Sequence, residues 1–169
     1  EHTWPYYHDG TRETLEEAVR DMGLYQSLLQ EAVQKSCTVT ATSTYYTLTC
    51  GNIDLDLVFT TPQVMSDLVL FSTPISYISY QATANDGKEH DVRVYLQTSA
   101  EMGVRNNTQK TVNRRKTVNG YEFLYAGNST QNVCNQTSDL IDWGYLYAFN
   151  DKKQGHSLKL GEHEQLLRE

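Results

Sequence analysis

Several features are scarce in this sequence of 169 residues, and each scarcity excludes a class of protein. There are three cysteines, with no CxxC or Cys/His spacing, so a zinc or redox site is not expected. No apolar run approaches the roughly 18–20 residues that a membrane-spanning helix needs. Basic residues number 14 against 21 acidic ones, and the net charge of −7 argues against a surface for nucleic acids or anionic membranes.

Local motifs that carry chemistry are also missing. The sequence has no GxSxG elbow, no phosphate-binding loop of the P-loop or GxGxxG type, and no HxxxH pair among its five histidines. We therefore expect neither a cofactor nor a metal, and the motifs assign no catalytic residue. Each cysteine lies in a predicted strand or loop, without a helix N-terminus to activate its thiol.

The amino-acid composition is typical of one globular domain. Hydrophobic residues make up 38% and aromatic residues 11%, which suffices to bury a core and excludes a disordered chain. An apolar stripe with helical spacing runs through residues 11–35, and Thr14 followed by Glu17 matches a capping box. The sequence therefore predicts a helix in this lead-in.

From Cys37 onward the apolar pattern changes to a period of two, which is typical of half-solvated antiparallel strands. Residues 101–119 are polar and predict an exposed loop or an irregular edge strand. The predicted strands are 37–43, 45–50, 53–59, 75–82, 89–97, 120–127 and 139–149. Because about seven strands follow one another without helices between them, the fold class is mainly β, an antiparallel β-sandwich with an N-terminal helical segment.

Three regions follow from these elements. Residues 1–35 form the lead-in, residues 36–152 the β-sandwich domain, and residues 153–169 a linker with the start of a helix. Since the first residue is Glu1 and the final helical pattern stops after two turns, we interpret the sequence as a piece of a larger protein.

Two residue pairs are candidates for chemistry within the predicted strands. Cys37 and Cys50 lie at the outer ends of adjacent strands, where either a disulfide or two free thiols fit the pattern. Asp54 and Asp56 share one strand face about 7 Å apart, within the separation of an inverting glycosidase pair. The simpler interpretation of the two aspartates is the solvent side of an alternating strand.

An aromatic row is the third candidate. Trp143, Tyr145 and Tyr147 alternate along the last predicted strand, so they are expected on one face. Such a row either stacks on sugar rings or packs on the core or on a neighbouring domain.

Five collinear segments of the sequence carry a resemblance to a known family. They are Tyr45–Pro62, Leu68–Tyr80, Asp86–Leu96, Ile141–Tyr147 and Ser157–Gly161. Together they resemble the N-terminal domain of the glutaminase A family, most closely the versions from gut Bacteroides-type bacteria, and the resemblance covers residues 36–169. Residues 11–35 depart from it, because family members have β-like sequence there.

The resemblance implies a secreted or periplasmic protein in which a β-sandwich precedes a helical toroid similar to that of six-hairpin glycosidases. Full-length members are classed as glutaminases, which hydrolyse L-glutamine to L-glutamate and ammonia. The active site is expected in the toroid, beyond residue 169, so no catalytic residue is carried over. Asp142, Trp143, Tyr145 and Tyr147 are the expected contacts with the toroid or its cleft rim.

Three functions remain open at this stage. The leading hypothesis is a non-catalytic accessory domain whose partner is the C-terminal catalytic domain of the same chain. The first alternative is a carbohydrate-binding module that uses the exposed aromatics. The second is a free-standing hydrolase that uses Asp54 and Asp56, which requires a concave pocket and raised carboxylate pKa values.

Overall fold

The structure of the protein is a computed structural model that describes residues 6–7, 29–106, 108–134, 141–151 and 157–160. Antiparallel sheets dominate it, so the mainly β fold class predicted from the sequence is confirmed. The chain divides into two compact units between Arg93 and Val94. Within the described residues, no helix is both long and apolar enough to cross a membrane.

The first unit holds a two-stranded and a four-stranded antiparallel sheet. Strands β1 (Tyr6–Tyr7) and β2 (Gln30–Glu31) form the small sheet. The larger sheet has the order β3-β4-β5-β6, and a short helix, α1, lies between β5 and β6 in the sequence. The bounds are β3 (Val33–Val39), β4 (Ser43–Cys50), β5 (Ile53–Thr60), α1 (Leu68–Ser72) and β6 (Tyr77–Ala84).

The second unit is a three-stranded antiparallel sheet with the order β7-β8-β9. Its strands are β7 (Thr111–Val118), β8 (Tyr121–Asn128) and β9 (Leu146–Asp151), and a 3-10 helix, η1 (Ala100–Gly103), precedes them. An ideal Cβ on Gly103 would lie 2.7 Å from the backbone oxygen of Ala126. The glycine therefore lets η1 pack directly against β8.

Tight turns fix the pairing registers of these hairpins. Gly51 takes a positive φ of 61° between β4 and β5, as the Gly51-Asn52 turn requires. Asn119 and Gly120 both have positive φ, 50° and 84°, which is the geometry of a type I′ turn between β7 and β8. Asp67 caps α1, since its Oδ1 accepts hydrogen bonds from the backbone N–H groups of Val69 and Leu70.

Few side chains in the described part of the chain are fully buried. Leu48 on β4 is 1% exposed and lies between Gln34 of β3 and Leu55 of β5 in the register. In the second unit Leu124 on β8 is 7% exposed. Leu48 and Leu124 are the buried apolar side chains of the described strands.

The sequence predicts helices at both ends of the chain. Of the helix predicted over residues 11–35, residues 11–28 lie outside the described part of the chain, and β2 and β3 occupy most of the remainder. That end of the helix prediction is wrong, because strand pairing with β1 and β4 outweighs a weak helical pattern. The helix start in residues 161–169 also lies outside the described residues.

Two strand predictions are wrong. Residues 89–97 form no strand; just before and at the start of this segment, Asp86 Oδ1 accepts the Lys88 backbone N–H and lies 2.9 Å from His90 Nε2, so the chain bends locally there. The strand predicted over 139–149 begins only at Leu146, after Gly144 adopts a φ of 94°. The polar stretch 101–119 contains most of η1 and all of β7, and β7 is an edge strand.

Candidate functional site: an exposed aromatic sheet face

One side of the three-stranded sheet is covered with aromatic rings. Successive residues of a strand point to opposite sides, and residues paired directly across two strands share a side. Tyr125 pairs with Tyr147, and Phe123 pairs with Phe149, so these rings lie together. We call this surface the aromatic face, and it comprises Tyr121, Phe123, Tyr125, Tyr145, Tyr147 and Phe149.

The rings of the aromatic face contact one another along both strands. Tyr125 lies 5.1 Å from Tyr145 and 5.4 Å from Tyr147, measured between ring centroids. Phe123 stacks on Phe149 at 5.3 Å with an interplanar angle of 26°. Tyr147 is nevertheless 53% exposed and Tyr121 is 42% exposed. The face is therefore contiguous and open to solvent.

Gly127 determines where Tyr145 lies. A Cβ at this position would be 2.8 Å from Tyr145 Cδ1 and 2.5 Å from the backbone oxygen of Gly144. Any side chain on Gly127 would therefore displace the turn before β9 and the tyrosine that follows it. Because position 127 has no side chain, Tyr145 has room to join the aromatic face.

A shallow concavity of about 320 Å³ lies on the aromatic face. Besides the rings, it is bordered by Lys116 and Val118 of the edge strand β7. Arg114 lies on the same side as Lys116, because it pairs directly with Tyr125. The structure records no ion pair between either cation and a described residue. The concavity is thus aromatic at its floor and positively charged along one side. The residues lining it are Lys116, Val118, Phe123, Tyr125, Tyr145 and Tyr147.

The opposite side of this sheet is arranged differently. Leu124 is buried there, and Arg115 Nη1 lies 3.4 Å from Glu122 Oε1. Arg115 also donates a 2.8 Å hydrogen bond from Nη2 to the backbone oxygen of Leu158. The cation on this side therefore has partners within the chain.

Asp142 and Trp143 precede the Gly144 turn, so strand alternation does not place them in the aromatic face with Tyr145 and Tyr147. The segment is held by Gln131, whose Oε1 accepts the Gly144 N–H at 2.6 Å. Asn128 Nδ2 donates to the backbone oxygen of Asp142 at 3.1 Å. Asp142 Oδ1 is buried and receives no hydrogen bond from a described residue. The predicted row of Trp143, Tyr145 and Tyr147 on one regular strand is wrong in this respect.

Asp54 and Asp56 lie on the polar face of the four-stranded sheet, which we define by Thr47, Thr49, Asp54 and Asp56. Thr49 Oγ1 donates to Asp54 Oδ1 at 2.7 Å, and Thr47 Oγ1 donates to Asp56 Oδ1 at 2.8 Å. The hydrogen bonds from Thr49 and Asn85 lower the pKa of Asp54. A general acid needs a raised pKa, so this geometry supports the solvated-strand interpretation of the two aspartates.

The cysteine pair is not bonded. Cys37 pairs with Tyr46 in the register, whereas Cys50 lies four residues farther along β4, opposite Ile53. Four residues of strand span about 13 Å, which is beyond the reach of a disulfide. Both thiols are free, and Cys37 is exposed. Burial first, and the charge of Asp54 second, raise the pKa of Cys50, which makes it a poorer nucleophile.

No group of three or more His, Cys, Asp and Glu side chains within the described residues is arranged to hold a metal ion. The aromatic face is therefore the candidate functional site. Sequence reasoning identified Tyr145 and Tyr147 but missed the contributions of β7 and β8. The signal was available, because the Asn119-Gly120 pair marks a hairpin that brings Lys116 beside Phe123.

Comparison with known proteins gives one curated relative. Glutaminase A of Aspergillus oryzae is 29% identical to this chain over 131 residues, which is 76% of this chain and 19% of that protein. The chain thus spans about a fifth of the length of this relative. No solved structure matches the chain.

A family model matches residues 42–169, a stretch that runs from just before β4 through the three-stranded sheet. The model is described as Domain of unknown function (DUF5127). Because the match covers most of the sequence, the chain belongs to this family.

Proposed function

We propose that this chain is a non-catalytic accessory domain of a larger glutaminase-related protein and that it docks on the rest of that protein through the aromatic face. The observation that carries the proposal is the aromatic face, in which Phe123 and Tyr125 are half-buried while the rings around them are exposed: Tyr121, Tyr145, Tyr147 and Phe149. The length of the curated relative supports it, since about four fifths of that protein has no counterpart in this chain.

Docking would remove a substantial apolar surface from water. Each aromatic side chain buries up to about 150–250 Å² when it is covered, and interfaces between domains of one chain bury about 600–1,500 Å². The aromatic face supplies six rings on one side of a single sheet, so a large share of such an interface is present. Hydrophobic burial of this size stabilises association without a specific chemical group.

The parent protein would hydrolyse L-glutamine to L-glutamate and ammonia, with its active site outside this chain. The name of the curated relative and the resemblance of residues 36–169 support this assignment. The described carboxylates do not oppose it, because the pKa of Asp54 is lowered rather than raised. From the resemblance we also propose a Bacteroides-type bacterial parent that works outside the cytoplasm and carries a glycosidase-like helical domain.

Limited proteolysis and ammonia release by the full-length protein test the proposal. A double variant, Tyr125→Ser with Tyr147→Ser, is expected to expose the junction after residue 169 to protease and to weaken glutamine hydrolysis. Tyr45→Ser is the matched control, because Tyr45 is 45% exposed on the other large sheet. The proposal fails if the double variant behaves like this control, or if the 169-residue chain alone releases ammonia.

A carbohydrate-binding module is the second candidate, and the aromatic concavity of about 320 Å³ favours it. Tyr125 and Tyr147 are inclined by only 31°, so a sugar ring could stack across both. Titration of the chain with neutral oligosaccharides, followed by tyrosine fluorescence, tests this function. A saturable change that Tyr147→Ser abolishes would favour the module over the docking domain.

A further inference from the structure

The two cations beside the aromatic face differ from the cation between them in the sequence. Arg115 points to the other side of the sheet, where Glu122 and the backbone oxygen of Leu158 are its partners. Arg114 and Lys116 point to the aromatic face, and both are exposed. Within the part of the chain that the structure describes, no carboxylate forms an ion pair with either of them.

Covering these cations without a partner would be unfavourable. Moving a charge from water into an apolar contact carries a desolvation penalty unless an opposite charge or hydrogen-bond acceptors compensate it. Any surface that buries the rings of Tyr125 and Phe123 also approaches Arg114 and Lys116, which are their direct partners on β7. A docking surface that covers these two rings must therefore supply the compensating charge.

We infer that the surface which docks on the aromatic face carries at least two carboxylates that pair with Arg114 and Lys116. This inference rests on the proposed docking and names the chemistry of the partner. Residues two apart on a strand are about 7 Å apart, which sets the spacing of the two carboxylates. The partner belongs to the part of the longer polypeptide outside residues 1–169, because the chain spans only 19% of its relative.

Carbodiimide cross-linking of the full-length protein tests this contact directly. The reagent joins an amine to a carboxylate only when the two groups touch, so mass spectrometry is expected to find Lys116 linked to an Asp or Glu beyond residue 169. Lys116→Arg keeps the charge but removes the amine, so this link should disappear while docking is retained. Arg114→Lys should create a second link about 7 Å from the first. Lys110, an exposed lysine just before β7, should stay unlinked to that region.

Charge reversal gives an independent measurement. Arg114→Glu with Lys116→Glu is expected to expose the junction to protease as fully as Tyr125→Ser with Tyr147→Ser does. Lys110→Glu is the control and should leave proteolysis unchanged. Raising the salt concentration to 1 M should lower the yield of the Lys116 link several-fold, because the Debye length falls to about 3 Å.

The outcomes separate this inference from the proposed docking. If Lys116 stays unlinked and charge reversal has no effect while the tyrosine variant still releases the domain, the acidic partner is wrong and docking stands. If the tyrosine variant also has no effect, both are wrong. A Lys116 link that forms only between two copies of the protein overturns the assignment of the partner to the same polypeptide.

Discussion

The polar face of the four-stranded sheet and the aromatic face of the three-stranded sheet differ in whether their polar and charged side chains find partners within the chain. On the polar face, Thr47 and Thr49 donate hydrogen bonds to Asp56 and Asp54 across the strands. On the aromatic face, Tyr147 is more than half exposed, and Lys116 has no carboxylate partner among the described residues. A face whose polar side chains hydrogen-bond to one another is stable in contact with water. Exposed rings beside cations without a counter-charge are instead stabilised when a partner surface covers them.

The two sides of the three-stranded sheet repeat this contrast within a single strand. Leu124 is buried, whereas Phe123 and Tyr125 on the aromatic side are only half-buried. The buried side holds the unit together, and the aromatic side remains available for docking. Substitutions on the two sides should therefore change different properties of the protein.

Truncation on the buried side should have the largest effect on stability. Leu124→Ala is expected to lower the free energy of unfolding by about 2–4 kcal/mol, because it leaves a cavity beside β8. Tyr147→Ser on the aromatic face should cost about 1 kcal/mol or less, since it removes exposed ring contacts only. Urea unfolding of the 169-residue chain measures both. An equal loss in the two variants would mean that the aromatic face is part of the core and would contradict docking.

The fold could be predicted where one side of a strand faces water. Ile53, Leu55 and Leu57 alternate with Asp54 and Asp56, and these residues form β5, which pairs with β4 and β6 over its whole length. Residues 89–97 alternate as well but form no strand; at their start the side chain of Asp86 contacts Lys88 and His90 instead and bends the chain. Period-two patterns identify residues that suit a strand, whereas actual pairing depends on the neighbouring backbone.

The site could be predicted only in part for a related reason. Tyr145 and Tyr147 are two residues apart in the sequence, so the spacing alone predicts that they share a side. Their neighbours Tyr125 and Lys116 come from other strands, and the register that joins them is set by tertiary pairing. The placement of Tyr145 also depends on Gly127, whose role appears only when the close approach of Gly144 is known.

Adding a side chain to Gly127 should have the second largest effect on stability. Gly127→Ala is expected to cost about 2–3 kcal/mol, because the new Cβ would overlap backbone and ring atoms that cannot both move away. Gly120→Ala is the matched comparison in the same hairpin, where nothing lies within 4 Å and only the positive φ of 84° is unfavourable, at about 1 kcal/mol. Near-ultraviolet circular dichroism distinguishes them, since only Gly127→Ala should change the tyrosine signal. An unchanged signal would show that Gly127 does not position Tyr145.

The smallest expected effect concerns the carboxylate of Asp54 on the polar face. Hydrogen bonds from Thr49 and then Asn85 lower its pKa below the ordinary value of 3.8, and the charge of Lys35 adds to this lowering against the opposing effect of burial. A carboxyl whose pKa is lower in the folded state contributes stability above its ordinary pKa, and the contribution is lost as the pH falls through the folded value. Thr49→Val with Asn85→Ala should therefore raise the pKa of Asp54 and weaken the pH dependence of stability in the acid range.

Nuclear magnetic resonance titration of the side-chain carboxyl carbons measures this change. Thr47→Val is the control, because Thr47 donates its hydrogen bond to Asp56 and should leave the titration of Asp54 where it is. An unchanged pKa of Asp54 in the double variant would show that the threonine and asparagine do not stabilise the charged carboxylate. In that case solvent alone would satisfy the polar face, and the contrast with the aromatic face would depend only on the exposed rings and the two cations of β7.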